Sequence, residues 1–165
     1  MKVLVTSAQN KEEKAIEEVI SLIFQKDPNA RPLEKTIKPG LSLIEASISK
    51  EELAYILKNS NRTYFIKVIP VDIETENYEE SIKEWISLNW IKIKDKSFAV
   101  RCYSRFGKSG SLMEKEIGKI LKEKGIKINL KSPDFIILVQ PVYSKFLISF
   151  LSFKDYLIFL SRKKI

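Results

Sequence analysis

Residues 97–138, SFAVRCYSRFGKSGSLMEKEIGKILKEKGIKINLKSPDFIIL, decide the fold. The stretch opens as a strand over Phe98–Ser104, in which residues alternate between two faces. Phe98, Val100 and Cys102 point one way, and Ala99, Arg101 and Tyr103 the other. Arg105 continues the second set if the strand does not bulge. One face packs, and the other offers two arginines with a tyrosine between them. The loop Phe106-Gly107-Lys108-Ser109-Gly110 follows. Its glycines allow positive φ and close approach of backbone to a ligand. Ser111 then opens a helix, with Glu114 at capping-box spacing. The helix has Leu112, Ile117, Ile120 and Leu121 as its buried stripe and Gly125 just past its end. A short strand and a strongly apolar one close the unit.

A basic loop feeding a helix N-terminus can hold phosphate through free N–H groups, the helix dipole and Lys108. The plain alternative is an ordinary strand–turn–helix with a solvated basic surface. The spacing matches neither a Walker loop nor a dinucleotide fingerprint, so nucleotide hydrolysis is not supported.

Composition narrows the chemistry. The 165 residues are 44% apolar and 30% charged, a folding composition with a net charge of +8. Residues 1–72 carry 11 Lys and Arg against 10 Asp and Glu, and residues 73–165 carry 18 against 11. An anionic partner is therefore expected to meet the second half. The chain has no histidine, which removes the commonest general base and metal ligand. Its one cysteine, Cys102, excludes an intrachain disulfide and a zinc-type cluster, and its place in the alternation marks it as packing. No metal or cofactor is expected. Met1–Thr6 is too short an apolar run for a signal peptide. The apolar region 135–160 is interrupted by Gln140, Pro141, Lys145, Lys154 and Asp155, so no membrane span is expected. The default expectation is a cytoplasmic protein.

In chain order, Lys2–Thr6 reads as a strand. Asn10 with Glu13 caps a helix whose face is Ile16, Val19, Ile20 and Ile23. Leu33–Ile37 and Leu43–Ser47 are strands joined by Pro39-Gly40 in a type II turn. Ser49 and Glu52 form a capping box, with Leu53, Ile56 and Leu57 facing inward, and Arg62–Val71 is a strand. This β-α-β-β-α-β order is the ferredoxin-like pattern. The acidic tract Asp72–Glu80 reads as a linker. Asn77 and Glu80 start a helix carrying Ile82, Trp85 and Ile86 on one face, with Trp90 joining them if the helix continues. Both tryptophans are expected to pack rather than stack on bases. Lys115, Lys119 and Lys122 form a row that reads as a solvated face. Ile128–Leu130, Asp134–Val139, Val142–Phe150 and Tyr156–Leu160 supply the remaining strands.

The run FAVRCYSR, the Gly/Lys/Ser loop, the helix ending LKEKG and the segment Ile128-Asn129-Leu130-Lys131-Ser132-Pro133-Asp134-Phe135-Ile136 together resemble the core of a THUMP domain. That module binds RNA in several tRNA-modifying enzymes. The resemblance implies an α+β chain: a ferredoxin-like domain over 1–72 followed by a THUMP-like α/β domain over 73–165. A chain of this layout with no catalytic domain attached is similar to the TAN-type adaptors of tRNA cytidine N4-acetylation. It departs from them in lacking a histidine near the basic loop. The resemblance implies recognition of the tRNA acceptor stem and single-stranded 3′ CCA end by a non-catalytic protein, and a separate RNA cytidine acetyltransferase as partner. Arg101, Tyr103, Arg105, Gly107, Lys108, Ser109 and Lys131 are the RNA-binding candidates. Arginine suits forked phosphate contacts, and Tyr103 can stack on an unpaired base, a contact worth about 1–3 kcal/mol. Asp134 is expected to stabilise a turn.

Three other functions stay open: an enzyme using carboxylates such as Glu45, Asp72 or Asp134, a module serving another tRNA-modifying enzyme, and a protein-interaction domain with an incidental basic face. Arg105→Ala and Lys108→Ala should each weaken tRNA binding without unfolding the protein. Unchanged affinity in both variants at moderate salt removes these residues from the contact set.

Overall fold

The computed structural model describes residues 1–103 and 109–160. The chain divides into two compact units, Met1–Val71 together with the C-terminal residues from Asp155, and Asp72–Lys154.

In the first unit β1 (Lys2–Ser7), α1 (Glu12–Ile23), β2 (Arg31–Lys38), β3 (Leu41–Glu45), α2 (Lys50–Lys58) and β4 (Phe65–Val71) follow in order. The sheet order is β2-β3-β1-β4 with every neighbour antiparallel, which is the ferredoxin-like topology. Val3, Leu4 and Val5 of the central strand are all buried, as are Ala15, Ile16, Val19 and Ile23 of α1 and Leu53, Ala54 and Leu57 of α2. Gly40 has φ +78°, the positive value a type II turn needs at its third residue. At α2 the capping box is present: Ser49 Oγ accepts from Glu52 N at 3.1 Å, and Glu52 accepts from Ser49 N at 3.2 Å.

Two expectations fail here. Asn10 does not cap α1. It sits at φ +68°, a region asparagine tolerates, and Lys11 precedes the helix without a side-chain cap. Glu13, expected to complete that cap, pairs with Lys35 at 3.4 Å, while Glu12 is buried and accepts from Gly40 N at 2.8 Å. The last strand of the unit starts at Phe65 rather than Arg62, because the N–H groups of Thr63, Tyr64 and Phe65 all turn to the Glu18 carboxylate, at 2.9, 2.9 and 3.0 Å. Buried Arg62 donates to Ile66 O at 2.8 Å and Ile158 O at 3.0 Å.

The second unit runs β5 (Ile73–Thr75), α3 (Tyr78–Ile93), β6 (Ser97–Cys102), α4 (Ser109–Glu123), β7 (Lys127–Ile128), β8 (Phe135–Val142) and β9 (Lys145–Ser152); α5 (Phe153–Leu160), which counts with the first unit from Asp155 on, ends the described chain. The sheet order is β5-β9-β8-β6-β7, with β6 parallel to both β7 and β8 and the other pairs antiparallel. One sheet face, Phe98, Val100, Ile137, Val139, Ile148 and Phe150, packs with Ile82, Ile86 and Ile93 of α3 and Ile117, Ile120 and Leu121 of α4. The alternate residues Ala99, Ile136, Leu138, Leu147 and Leu151 are buried as well, so both faces read as apolar. Trp85 stacks on Phe150 at 3.8 Å between ring centroids.

Several sequence expectations are corrected over residues 72–160. The acidic tract after residue 71 is not a bare linker, since Ile73–Thr75 pairs with β9 and Asp72 Oδ2 accepts from Phe150 N at 2.7 Å. α3 does begin with Asn77 accepting from Glu80 N at 3.2 Å, but Trp90 does not join the buried face; Ile93 does. Leu112 is exposed, and Met113 packs against the core in its place. The strand expected over Val142–Phe150 begins only at Lys145, because a turn at Tyr143, where φ is +55°, separates it from β8. Tyr156–Leu160 is part of helix α5, not a strand; Phe159 is its buried residue. Its run of apolar residues lacks a period-2 pattern, and short apolar runs do not distinguish the two states. Among the described residues, no helix is long and apolar enough to cross a membrane.

Glu18→Ala leaves three consecutive N–H groups without their carboxylate. It should lower unfolding stability by about 1–2 kcal/mol in a urea titration, while Glu17→Ala, on the exposed face of the same helix, should change it little.

Candidate nucleic-acid interface

β6 is buried over its middle and opens toward its end. Phe98 and Ala99 are buried, and Arg101, Cys102 and Tyr103 are half-buried. On the β8 side its ladder is complete from Phe98 to Cys102, and Tyr103 N adds one bond to Val139 O at 2.9 Å. On the other side β7 pairs only with Ser97 and Phe98. Backbone groups beyond that point need other partners. Asn129 N donates to Phe98 O at 3.0 Å. Arg101 Nη1 donates to Val100 O at 3.1 Å, and Cys102 N donates to Glu114 Oε1 at 3.0 Å.

Arg101 therefore does two things. Its Nη2 also reaches Leu130 O at 3.2 Å, tying the segment after β7 to the strand. Asn129 Oδ1 accepts from Lys131 N and Ser132 N, both at 3.1 Å, which makes a closed Asx turn. The backbone of Lys131 is thus fixed beside Arg101, with its side chain exposed. Among the described residues, two of the five guanidinium donors are engaged with carbonyls. Glu114 places a negative charge at the same strand end and offsets part of the positive field there.

Asp134 closes the segment. Its N donates to Ser97 O at 3.0 Å, and its Oδ2 accepts from Ser97 N at 2.9 Å and Ser97 Oγ at 3.2 Å. The Ser97 N–H holds the carboxyl below the usual carboxylate range, helped by the Ser97 hydroxyl and by Lys96. Its place as a turn lock agrees with the expectation for this residue.

Of the sequence candidates, Arg101, Tyr103 and Lys131 lie along the end of β6 and the turn beside it. Ser109 is the first residue of α4, so that helix starts ahead of the expected Ser111, and Glu114 turns to Cys102 instead of capping. Arg105, Gly107 and Lys108 lie outside the described residues. Sequence reasoning missed Asn129 and Glu114 as the residues that shape the edge. An Asx-turn signature, Asn129-Leu130-Lys131-Ser132 before Pro133, was available for the first; nothing local marked the second. Burial, reinforced by Glu114, pushes the Cys102 thiol up to about 12, so it is protonated at neutral pH. Among the described residues no group of three or more potential ligands could hold a metal ion.

No protein-family model matches the sequence, and no curated protein does. Solved structures do match. PH1313 from Pyrococcus horikoshii Ot3 superposes over 91% of this chain with a TM-score of 0.62 at 16% identity. TrmN from Thermus thermophilus superposes over 91% with a TM-score of 0.57 at 14% identity. A 4-thiouridine synthetase, solved as an RNA complex with bound ATP, superposes over 92% with a TM-score of 0.52 at 14% identity. The chain spans 53%, 45% and 42% of those three proteins respectively, about half of their length. At this identity the likeness concerns the fold, which is THUMP-like.

The depressed Asp134 carboxyl sets a sign for pH dependence. Its contribution to stability is present above the unfolded-state value near pH 4 and is lost as pH falls through the lower folded value. Asp134→Asn should be less stable than the native chain at pH 7 in a denaturant titration. The difference should shrink as the pH is taken below about 4. A constant difference across that range would assign Asp134 no charged role.

Proposed function

We propose that this chain is a non-catalytic tRNA-binding protein that grips the acceptor stem and the single-stranded 3′ CCA end and assists a separate tRNA-modifying enzyme, with cytidine N4-acetylation as the reaction served. The observation that carries the reading is the edge of β6, where the Leu130 carbonyl links Arg101 to the fixed turn of Lys131 in the more basic half of the chain. A fold shared with a synthetase solved in complex with RNA supports it.

In this reading Arg101 and Lys131, with Arg105 and Lys108, neutralise phosphates and release counterions, so binding is steeply salt-dependent. Tyr103 offers its ring to an unpaired base. Gly107 and Ser109 let the backbone approach the phosphates. Such a surface selects shape and strand ends more than sequence. The role of an adaptor is supported by the lack of histidine and by the protonated thiol of Cys102, which is a poor nucleophile in that state. The acetyltransferase partner follows from the family resemblance.

The test compares binding of one tRNA, intact and with its CCA removed, across a salt series. Weaker binding of the trimmed form, with a steep salt slope, is the expected result. Equal binding of both forms would reduce the protein to a general basic RNA binder, and no binding would refute the reading. Lys131→Gln should flatten the slope of log affinity against log salt by about 0.7–0.9.

A further inference from the structure

α3 exposes more large apolar residues than the other described helices do. A helix laid on a sheet buries one stripe and shows water a polar face. α3 buries Ile82, Ile86 and Ile93 against the sheet, yet its outward side also carries large apolar residues. Leu88 is 78% exposed, Ile91 86% and Trp90 39%. Leu88 and Ile91, three residues apart, adjoin on the outward side, while Trp90 lies on the flank between that side and the buried stripe.

The patch has cations along it. Lys83, Trp90 and Lys94 are separated by seven and four residues, so they share one stripe of the helix and its end. All three are exposed, and so is Lys92. The stripe spans about 16 Å at 1.5 Å per residue, a reach of a few nucleotides. Among the described residues neither Lys83 nor Lys94 is in a salt bridge. The acidic neighbours are Glu79, exposed and four residues before Lys83 at the head of the same stripe, Glu84, on the Leu88 side of the helix, Asp95 just past its end, and Glu80, which accepts from the Asn77 side chain at 3.3 Å. The other tryptophan is not available: Trp85 is stacked in the core on Phe150.

We propose that the Lys83–Trp90–Lys94 stripe of α3 is a second nucleic-acid contact, binding single-stranded RNA by stacking a base on the Trp90 indole while the lysines take the flanking phosphates. Ile91, three residues before Lys94, forms an apolar border against which a ribose or base edge packs. Single-stranded RNA suits the surface better than a protein partner does. Protein interfaces are depleted in lysine, whereas an aromatic ring between cations is the recurring platform for unpaired bases. This site is separate from the end of β6, and it does not depend on the tRNA end being recognised there.

Trp90 provides its own reporter. In a Trp85→Phe variant it is the sole tryptophan, and an eight-nucleotide single-stranded RNA should quench its fluorescence saturably at low salt. Because that variant alters the core, a second measurement uses the otherwise native chain: anisotropy of the same RNA, labelled, with Trp90→Ala. The substitution should weaken binding about tenfold, within the range for loss of a base stack. Lys83→Gln and Lys94→Gln should each flatten the salt slope by about 0.7. Unchanged affinity in Trp90→Ala, or quenching by anionic phospholipid vesicles and not by RNA, overturns the proposal. If intact tRNA binds but Trp90→Ala binds it and the octamer as the native chain does, this site falls while the β6 reading stands. If the octamer binds through Trp90 but removal of CCA has no effect on tRNA affinity, the reverse holds.

Discussion

The exposed edge of β6 is the constraint on which the second unit depends. β6 is buried over Phe98, Ala99 and Val100 and needs partners on both sides, yet β7 supplies only two residues of pairing. A backbone group left without a partner away from water costs about as much as a lost hydrogen bond, a few kcal/mol. The chain meets that demand with side chains: Asn129 brings its backbone to Phe98, Arg101 folds onto its own strand and Leu130, and Glu114 reaches from α4 to Cys102. The same bonds fix the segment that carries Lys131. Structural need and the placing of cations are met by one set of contacts.

Carboxylates recur in this role throughout the molecule. Glu12 holds Gly40, Glu18 holds residues 63–65, Asp27 holds Asn29 and Ser47, Asp72 holds Phe150, and Asp134 holds Ser97. Each ties a loop to an element distant in sequence or closes a turn. An ionised carboxylate is the strongest common acceptor for a backbone N–H, so these bonds define where strands start and helices end. Many lysines, by contrast, lie on outward faces, as in the row on α4 and the stripe on α3.

Signals contained within a few residues were legible in the sequence where nothing distant competed for them. Ser49 with Glu52 makes its capping box, Asn77 caps α3, Gly40 turns between β2 and β3, and Gly125 leaves α4 at φ +80°. Identical spacings failed where a distant partner took the side chain. Glu13 pairs with Lys35 on β2, and Glu114 bonds β6, so neither completes the cap its spacing suggested. The alternation of β6 correctly separated Phe98 and Val100 from Arg101, but nothing local told that Arg101 would be half committed to carbonyls.

By itself the sequence determined the β-α-β-β-α-β order of the first unit, the strand–helix–strand core of the second and the half in which positive charge collects, because periodicity, turn chemistry and charge are properties of neighbouring residues. Only the tertiary structure decided that residues 73–75 form an edge strand, that Tyr156–Leu160 is helical, that Trp85 is core while Trp90 faces water, and that Asn129 and Glu114 shape the end of β6. Those outcomes rest on hydrogen bonds and packing between segments far apart in the chain, where competition among partners, rather than local preference, selects the conformation.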